Sequence, residues 1–365
     1  MYRYPVAQPD FSGKEKEYMD DVMKTGFVSS KGEYVEKLET LFAKFVGTKY
    51  AIAVNSGTSA LTLGLAALGI GKGDEVIVPE FTMIASANAV VHVGAKPVFV
   101  DCDNTLNIDV KKIEEKITSK TKAIMPVHIY GRSANMYAIK KLAKKHKLFV
   151  IEDACEAHGA TFSMQGGSKK VGSIGDVGCF SFYGNKIVTS GEGGIVVTDD
   201  KEIAERCRSL KSLAFDTKHT FLHKEIGWNF RMTNMQAAIC CAQMERIQEF
   251  LSKRQMIQGW YDEFLKPFSV ERPKGSVLWM YDILVPEEHR DYLMMELETD
   301  EIESRYFFKP MSMQPPFKGK YEDLKAYDYS KRGLYLPAYV SLTYNDVLYI
   351  CQKVKSVLKS VGCSL

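Results

Sequence analysis

One lysine, Lys186, stands between two turns of small residues in the stretch SFYGNKIVTSGEGG (181–194). An apolar run at 177–182 leads into it and predicts a short strand. A surface lysine needs no such setting, whereas flanking glycines leave room for a ligand at close range. A lysine amine placed in this way can form a Schiff base with a carbonyl compound. The stretch therefore predicts a reactive lysine.

Two more groups with chemical potential follow predicted strands. Ser56, Gly57 and Thr58 come after the apolar run 50–54 and open a predicted helix. Backbone N–H groups at such a helix N-terminus bind phosphate. Asp153 ends a second apolar run and can face a cationic partner. Taken alone, each group is as typical of an ordinary helix N-cap as it is of a ligand site.

Pyridoxal phosphate (PLP) requires all three groups at once. Its phosphate needs backbone donors, its pyridine nitrogen needs a carboxylate, and its aldehyde needs a lysine amine. The same amine, once displaced by a substrate, can carry a proton between two carbons. We therefore expect PLP as the cofactor, Lys186 as the catalytic residue and Asp153 as the carboxylate.

The elements that must position these residues alternate between strand and helix from about residue 50 to residue 153. This pattern predicts an α/β protein with a mostly parallel sheet, in which ligands bind at the carboxyl ends of the strands. We also expect helices over 110–117 and 233–253. Near residue 250 the lengths of the predicted elements become irregular, and aromatic and Met residues become more frequent. We therefore expect a PLP-binding domain at 1–250 and a smaller domain at 251–365.

Composition excludes several classes of protein. The net charge is +3 with 25% charged residues, which gives no footprint for nucleic acid or a membrane surface. No apolar run is long enough for a membrane span, and the first residues do not resemble a signal peptide. The eight cysteines form no CxxC pair and predict a reduced, cytoplasmic setting. The histidines lack metal-ligand spacing, so we expect no metal.

Eight blocks in a fixed order resemble the DegT/DnrJ/EryC1/StrS family of nucleotide-sugar aminotransferases, over residues 26–342. They are GFVSSKGEYVEKLE (26–39), AVNSGTSAL (53–61), GDEVIVPEFT (73–82), PVFVDCD (97–103), PVHIYGR (126–132), IEDACEAHGA (151–160), GDVGCFSFYGNKIVTSGEGG (175–194) and HKEIGWNFRMTNMQAAI (223–239).

The resemblance implies the fold type I of PLP enzymes, with a large sheet domain and a smaller C-terminal α+β domain. It also implies a homodimer with shared active sites, in which Asn229 reaches the phosphate of the other subunit. Glu156 corresponds to the Gln or Glu near the cofactor's phenolic oxygen, and Ser181 to a phosphate-binding hydroxyl. The cofactor-binding set implied for this sequence is Ser56, Gly57, Thr58, Met83, Asp153, Glu156, Ser181, Lys186 and Asn229.

Three positions depart from the family pattern. Met83 stands where an aromatic residue usually stacks on the cofactor ring, and we expect that neighbouring Phe81 could compensate. Ser312 stands where relatives often carry His, and Asn135 stands where Asp is common. These departures bear on the substrate and not on the cofactor.

The form of the lysine segment is most similar to enzymes that aminate C4 of a nucleotide-linked 4-keto-6-deoxysugar with L-glutamate as the donor. The acceptor that the resemblance favours is GDP-4-keto-6-deoxymannose, which gives GDP-perosamine for the O-antigen of lipopolysaccharide. A UDP- or dTDP-linked 4-keto-6-deoxyglucose, and amination at C3, remain open. A non-catalytic, regulatory PLP protein is a further alternative, although it has no need of Lys186, Asp153, Ser181 and Asn229 together. The family's 3-dehydratases carry His in place of the lysine.

Several other residues have a structural interpretation beside a functional one. We interpret His128 and His158 as structural histidines more readily than as catalysts. Arg231 suits either the substrate diphosphate or a carboxylate across the dimer. The basic loop 218–224 is interpreted as a solvated or interface loop, and the aromatic C-terminal part as core and domain interface.

Overall fold

A computed structural model describes residues 2–215, 221–223 and 225–363. Its α-helices are α1 (Glu15–Thr25), α2 (Glu33–Val46), α3 (Gly57–Ala67), α4 (Ile84–His92), α5 (Met136–His146), α6 (Lys201–Leu210), α7 (Asn234–Glu245), α8 (Ile247–Leu265), α9 (Glu287–Thr299), α10 (Lys325–Arg332) and α11 (Tyr344–Ser360). Its strands are β1 (Tyr50–Val54), β2 (Glu75–Pro79), β3 (Lys96–Val100), β4 (Thr121–Ile124), β5 (Phe149–Asp153), β6 (Thr161–Met164), β7 (Gly167–Lys170), β8 (Val177–Ser181), β9 (Gly194–Thr198), β10 (Tyr281–Leu284), β11 (Arg305–Tyr306) and β12 (Gly333–Leu336).

The central sheet has seven strands among the described residues, in the order β1-β9-β8-β5-β4-β2-β3. Six strands run in one direction and β9 runs against its neighbours β1 and β8. Apolar side chains alternate between the two faces, so that Ile52 and Val54 join one core cluster while Ala51 and Ala53 join another. This mixed, mostly parallel sheet with buried faces confirms the expected α/β fold class.

The strands predicted at 50–54 and 177–182 correspond to β1 and β8, because buried strands of such a sheet are short apolar runs. Two predicted helices differ. Residues 110–117 form only two 3₁₀ turns, Val110–Lys112 and Glu114–Lys116. The helix predicted over 233–253 is interrupted at Arg246, which lies between α7 and α8 with non-helical angles. The β6–β7 hairpin was not predicted.

The C-terminal part carries a second sheet, in the order β10-β12-β11, packed with α8, α9 and α11. The N-terminal residues belong to this region as well, because Tyr4 pairs with Ile302 and Ala338 donates a backbone hydrogen bond to Val6. Residue 250 lies inside α8. The division into 1–250 and 251–365 stays a prediction.

No helix in the described part of the chain is long and apolar enough to cross a membrane.

Candidate active site

A cleft of about 450 Å³ opens at the carboxyl ends of the parallel strands, where α/β sheets bind ligands. The end of β1 contributes the turn into α3, the end of β5 contributes a carboxylate, and the end of β8 leads into the lysine turn. Eight of the predicted site residues line this cleft together, namely Ser56, Gly57, Thr58, Met83, Asp153, Glu156, Ser181 and Lys186.

Lys186 points into the cleft and is largely buried, with 11% of its side chain exposed. Its Nζ lies 3.4 Å from Oε1 of Glu156 and 4.2 Å from the centroid of the Trp279 ring. Its backbone N–H closes a turn onto the carbonyl of Tyr183. The interpretation as a solvent-exposed surface lysine is therefore wrong, and the amine is held near two groups that favour a cation.

Glu156 lies beside Lys186 and accepts a 2.9 Å hydrogen bond from the backbone N–H of Tyr130. Burial raises the pKa of Glu156, and the Lys186 ammonium and the Tyr130 amide only partly oppose this effect. Tyr130 donates from a left-handed backbone conformation with φ of 52°, which is uncommon for a bulky residue. In this conformation the backbone N–H of Tyr130 reaches the Glu156 carboxylate.

Asp153 presents its carboxylate from the end of β5, and both of its oxygens accept hydrogen bonds. Ser86 donates its hydroxyl to Oδ2 at 2.7 Å, and the backbone N–H of Cys155 donates to Oδ1 at 3.1 Å. The hydroxyls of Thr82 and Ser86 lie 2.9 Å apart, which leaves Ser86 free to donate to Asp153. These two hydrogen bonds fix the carboxylate of Asp153 at the edge of the cleft.

The turn after β1 has the features of a phosphate seat. Ser56 caps α3 by accepting from the Ser59 N–H, and Gly57 and Thr58 are the first two helical residues, whose amides have no partner within the helix. A Cβ atom on Gly57 would lie 2.7 Å from Cβ of Ser181, so only glycine fits here. The Ser181 hydroxyl therefore adjoins the amides, as a phosphate requires.

These donors, the Asp153 carboxylate and the Lys186 amine meet the three requirements of PLP in one cleft. The sequence profile of the DegT/DnrJ/EryC1/StrS aminotransferase family matches residues 9–355. The chain belongs to this family.

Relatives and solved structures agree with this placement. A GDP-perosamine synthase from Caulobacter vibrioides is 44% identical over 98% of both chains. One from Escherichia coli O157:H7 is 44% identical over 96% of this chain and 97% of its own. The fold matches Spr1654 of Streptococcus pneumoniae, a protein assigned as a sugar aminotransferase and solved in its PLP form, with a TM-score of 0.93, 26% identity and coverage of 99% and 100%.

The structure shows the surroundings of the three positions that depart from the family pattern. Met83 lines the cleft and is 50% exposed. Phe81 does not compensate for it, because its ring is fully buried against Tyr130 and Phe307. Ser312 lies outside the cleft lining, where its backbone N–H and hydroxyl both donate to the buried carboxylate of Glu80.

Asn135 is a helix cap, since its side chain accepts from the Ala138 N–H at the start of α5. Asn229 is exposed and does not line the cleft of its own chain. Arg231 also lies outside this lining, and it donates to the Ser212 hydroxyl at 3.1 Å. Much of the basic loop, residues 218–220 and 224, lies outside the described residues.

Both histidines near the site are buried behind it. The Ala134 N–H donates to Nδ1 of His128, so His128 must carry its proton on Nε2, which donates to Glu152 at 2.9 Å. His158 packs against Phe180 and Phe182, and its ring nitrogens have no hydrogen-bonding partner among the described residues. Within the same part of the chain, no group of three His, Cys, Asp or Glu side chains could hold a metal.

The C-terminal part of the chain brings further residues to the cleft that were not predicted from the sequence. Trp279, Arg305, Phe308 and Tyr335 line it together with the predicted set. The aromatic residues of this part were expected to pack in the core. Trp279 and Tyr335 are indeed nearly buried, although they also line the cleft. No local motif marks them, because only packing between distant segments decides which aromatic residues reach a cleft.

Proposed function

We propose that this protein transfers the amino group of L-glutamate to C4 of a nucleotide-linked 4-keto-6-deoxysugar. The acceptor we propose is GDP-4-keto-6-deoxymannose, and the product is GDP-perosamine. The cofactor is pyridoxal 5′-phosphate, which supplies an aldehyde for the amine and an electron sink when it is bound. The observation that carries the proposal is the meeting of Lys186, Asp153 and the α3 phosphate seat in one cleft.

Each side chain has a distinct task in this proposal. The amides of Gly57 and Thr58 and the Ser181 hydroxyl would hold the phosphate. Asp153, held by the Ser86 hydroxyl and the Cys155 amide, would be the partner of the pyridine nitrogen. The Lys186 amine would hold the aldehyde and, once released by a substrate amine, would carry a proton between two carbons. Met83 would contact the cofactor ring as a polarisable, non-aromatic side chain.

The choice of acceptor is supported by the relatives. Three proteins named GDP-perosamine synthase are 39–44% identical to this chain over nearly its whole length. A 3-aminotransferase that acts on a UDP-linked sugar matches over 76% of the chain at 40% identity. The longer matches therefore favour amination at C4 of the GDP-linked sugar.

The first experiment is the visible absorption spectrum of purified wild type and Lys186→Ala, with and without excess L-glutamate. The wild type should show the band of lysine-bound PLP, and glutamate should remove it. Lys186→Ala should show neither behaviour. Turnover with GDP-, UDP- and dTDP-linked 4-keto-6-deoxysugars then ranks the acceptors. A wild type that stays colourless with added PLP, or whose band ignores glutamate, contradicts the proposal.

We also propose that the active unit is a homodimer in the cytoplasm, in which Asn229 of one chain completes the phosphate site of the other. The support for this proposal is that Asn229 is exposed and lies outside the cleft of its own chain, where a neighbouring chain can reach it. The eight cysteines are free, as a reduced compartment requires.

Mixing two inactive variants tests the shared site. Lys186→Ala and Asn229→Ala each damage a different half of the proposed composite site. Chains unfolded and refolded together should regain activity, because one site of each mixed dimer keeps both residues. Mixtures that stay as inactive as the separate variants, or a monomeric mass by light scattering, contradict the shared site.

A further inference from the structure

We propose that Trp279 is a positioning residue for Lys186, whose ring and the Glu156 carboxylate together hold the lysine amine inside the cleft. The catalytic meaning of this inference rests on the proposed function. The contact itself joins two distant parts of the chain, the turn after β8 and the segment before β10.

The geometry fits a cation held between a ring and a carboxylate. Nζ of Lys186 lies 4.2 Å from the Trp279 centroid, well within the 6 Å range of cation–π attraction, and 3.4 Å from Glu156. Tryptophan is the strongest aromatic partner for a cation. Because all three side chains are nearly buried, water weakens these attractions little.

Trp279 is fixed through both its indole and its backbone. Its Nε1–H donates to the carbonyl of Asn185, the residue before the lysine, at 2.9 Å. The carbonyl of Trp279 accepts from Nη1 of Arg254 at 2.9 Å, and the same Arg254 nitrogen binds the carbonyls of Leu278 and Ala338. The indole ring is therefore tied by a hydrogen bond to the backbone of the turn that carries Lys186.

One residue supports both groups that hold the amine. The Tyr130 amide donates to Glu156, and the Tyr130 ring packs on Trp279 with centroids 5.6 Å apart. A free lysine side chain samples many rotamers. Whenever the amine is not bonded to a ligand, Trp279 limits the positions it samples and keeps it within reach of the reacting carbons.

The decisive test uses the cofactor-free protein. Wild type, Trp279→Leu and Trp279→Phe are treated briefly with acetic anhydride, and acetylation at Lys186 is measured by mass spectrometry relative to exposed Lys111. Loss of the ring should raise the Lys186 labelling rate about fivefold, since the indole no longer covers and holds the amine. Trp279→Phe keeps a ring but loses the indole N–H, so its labelling rate should lie between those of wild type and Trp279→Leu.

A matched control is Trp260→Leu, because the Trp260 ring also lies below a lysine, Lys253, at 5.1 Å but does not line the cleft. Its Lys186 labelling should equal that of wild type. Trp279→Met, whose unbranched side chain adapts to an irregular space without a ring, repeats the test if Trp279→Leu does not fold. Unchanged labelling in the ring-free variants, or Trp279→Phe behaving as they do, overturns the proposal.

The loaded protein gives a second readout. Trp279→Leu should slow the reaction with glutamate about tenfold while KM for glutamate changes little, because positioning and not binding is lost. A rise in KM alone overturns the assigned role. Failure of the proposed aminotransferase function would remove this second readout for every variant, yet it would leave the labelling result in the cofactor-free protein intact.

Discussion

Glu152 and Asp153 are consecutive in β5, and their carboxylates lie on opposite faces of the central sheet. Glu152 is fully buried and accepts hydrogen bonds from His128 and from three backbone amides of residues 172–175. Asp153 faces the cleft and accepts from Ser86. The alternation of a strand thus separates a structural carboxylate from one available to a ligand.

This pair gives the first prediction. Glu152→Gln places an NH₂ group among donors and should lower the free energy of unfolding by about 3 kcal/mol. Asp153→Asn should cost about 1 kcal/mol or less, yet it should abolish the reaction with glutamate. Urea unfolding of the cofactor-free proteins, together with the spectral assay, checks both. Equal losses of stability would contradict the division of roles.

The acid response of Glu152 has a definite sign. Burial raises its pKa, but the bonds from His128 and the amides more than offset this effect, so the pKa lies below the usual value. A carboxyl with a lowered folded-state pKa stabilises the fold above its unfolded-state pKa, and that contribution disappears as the pH falls. Glu152→Gln should therefore unfold with a shallower dependence on pH in the acid range.

His158→Phe is the second prediction. Burial first, and then the charges of Lys186 and Arg254, lower the pKa of His158 to about 3. The unfolded chain binds this proton near pH 6.5, so the wild type should lose about 2 kcal/mol of stability between pH 7.5 and pH 5 through this residue. The variant should lack that loss, because phenylalanine fills the same apolar site without titrating.

Urea midpoints at pH 7.5 and pH 5 measure the difference, and the window lies above the titration of most carboxyl groups. The reaction with glutamate should be retained in His158→Phe, since the residue does not line the cleft. Parallel pH profiles for the two proteins, or an inactive variant, would show that His158 has another role.

Asp282→Asn is the third prediction. Asp282 is fully buried in β10 and binds both Arg132 and Arg272. Removal of its charge leaves two buried guanidinium groups without a counter-ion and should cost about 3–5 kcal/mol. Asp291→Asn, which removes an exposed partner of Arg290, should cost less than about 1 kcal/mol. Calorimetry of both variants makes the comparison, and similar losses would contradict it.

Arg305→Gln is the fourth prediction. The Arg305 guanidinium lines the cleft while Glu303 holds it at 2.8 Å, and it stays partly exposed. Glutamate and the sugar nucleotide are both anionic, so loss of this cation should raise a KM by about tenfold with little change in melting temperature. Separate KM values for donor and acceptor tell which anion Arg305 meets.

The matched variant Arg332→Gln removes a surface cation paired with Asp328 and should change neither KM. Arg305→Gln with both KM values at the wild-type level would exclude Arg305 from substrate binding.

The sequence by itself determined the fold class and the family, and it predicted eight of the residues that line the cleft. Short apolar runs fix buried strands, and the chemistry of Lys186, Asp153 and the turn at Ser56 follows strands directly. The carboxyl ends of parallel strands share one edge of a sheet. The sequence alone therefore predicts that these groups, although far apart in the chain, meet in one cleft.

Tertiary structure alone decided what surrounds those groups. The choice of Trp279 as the ring over Lys186, and the burial of Phe81 away from the cleft, depend on packing between segments that are far apart in the chain. The break at Arg246 and the separate roles of Glu152 and Asp153 also required it. Such contacts leave no local periodicity, because each side chain responds to neighbours that only the folded chain supplies.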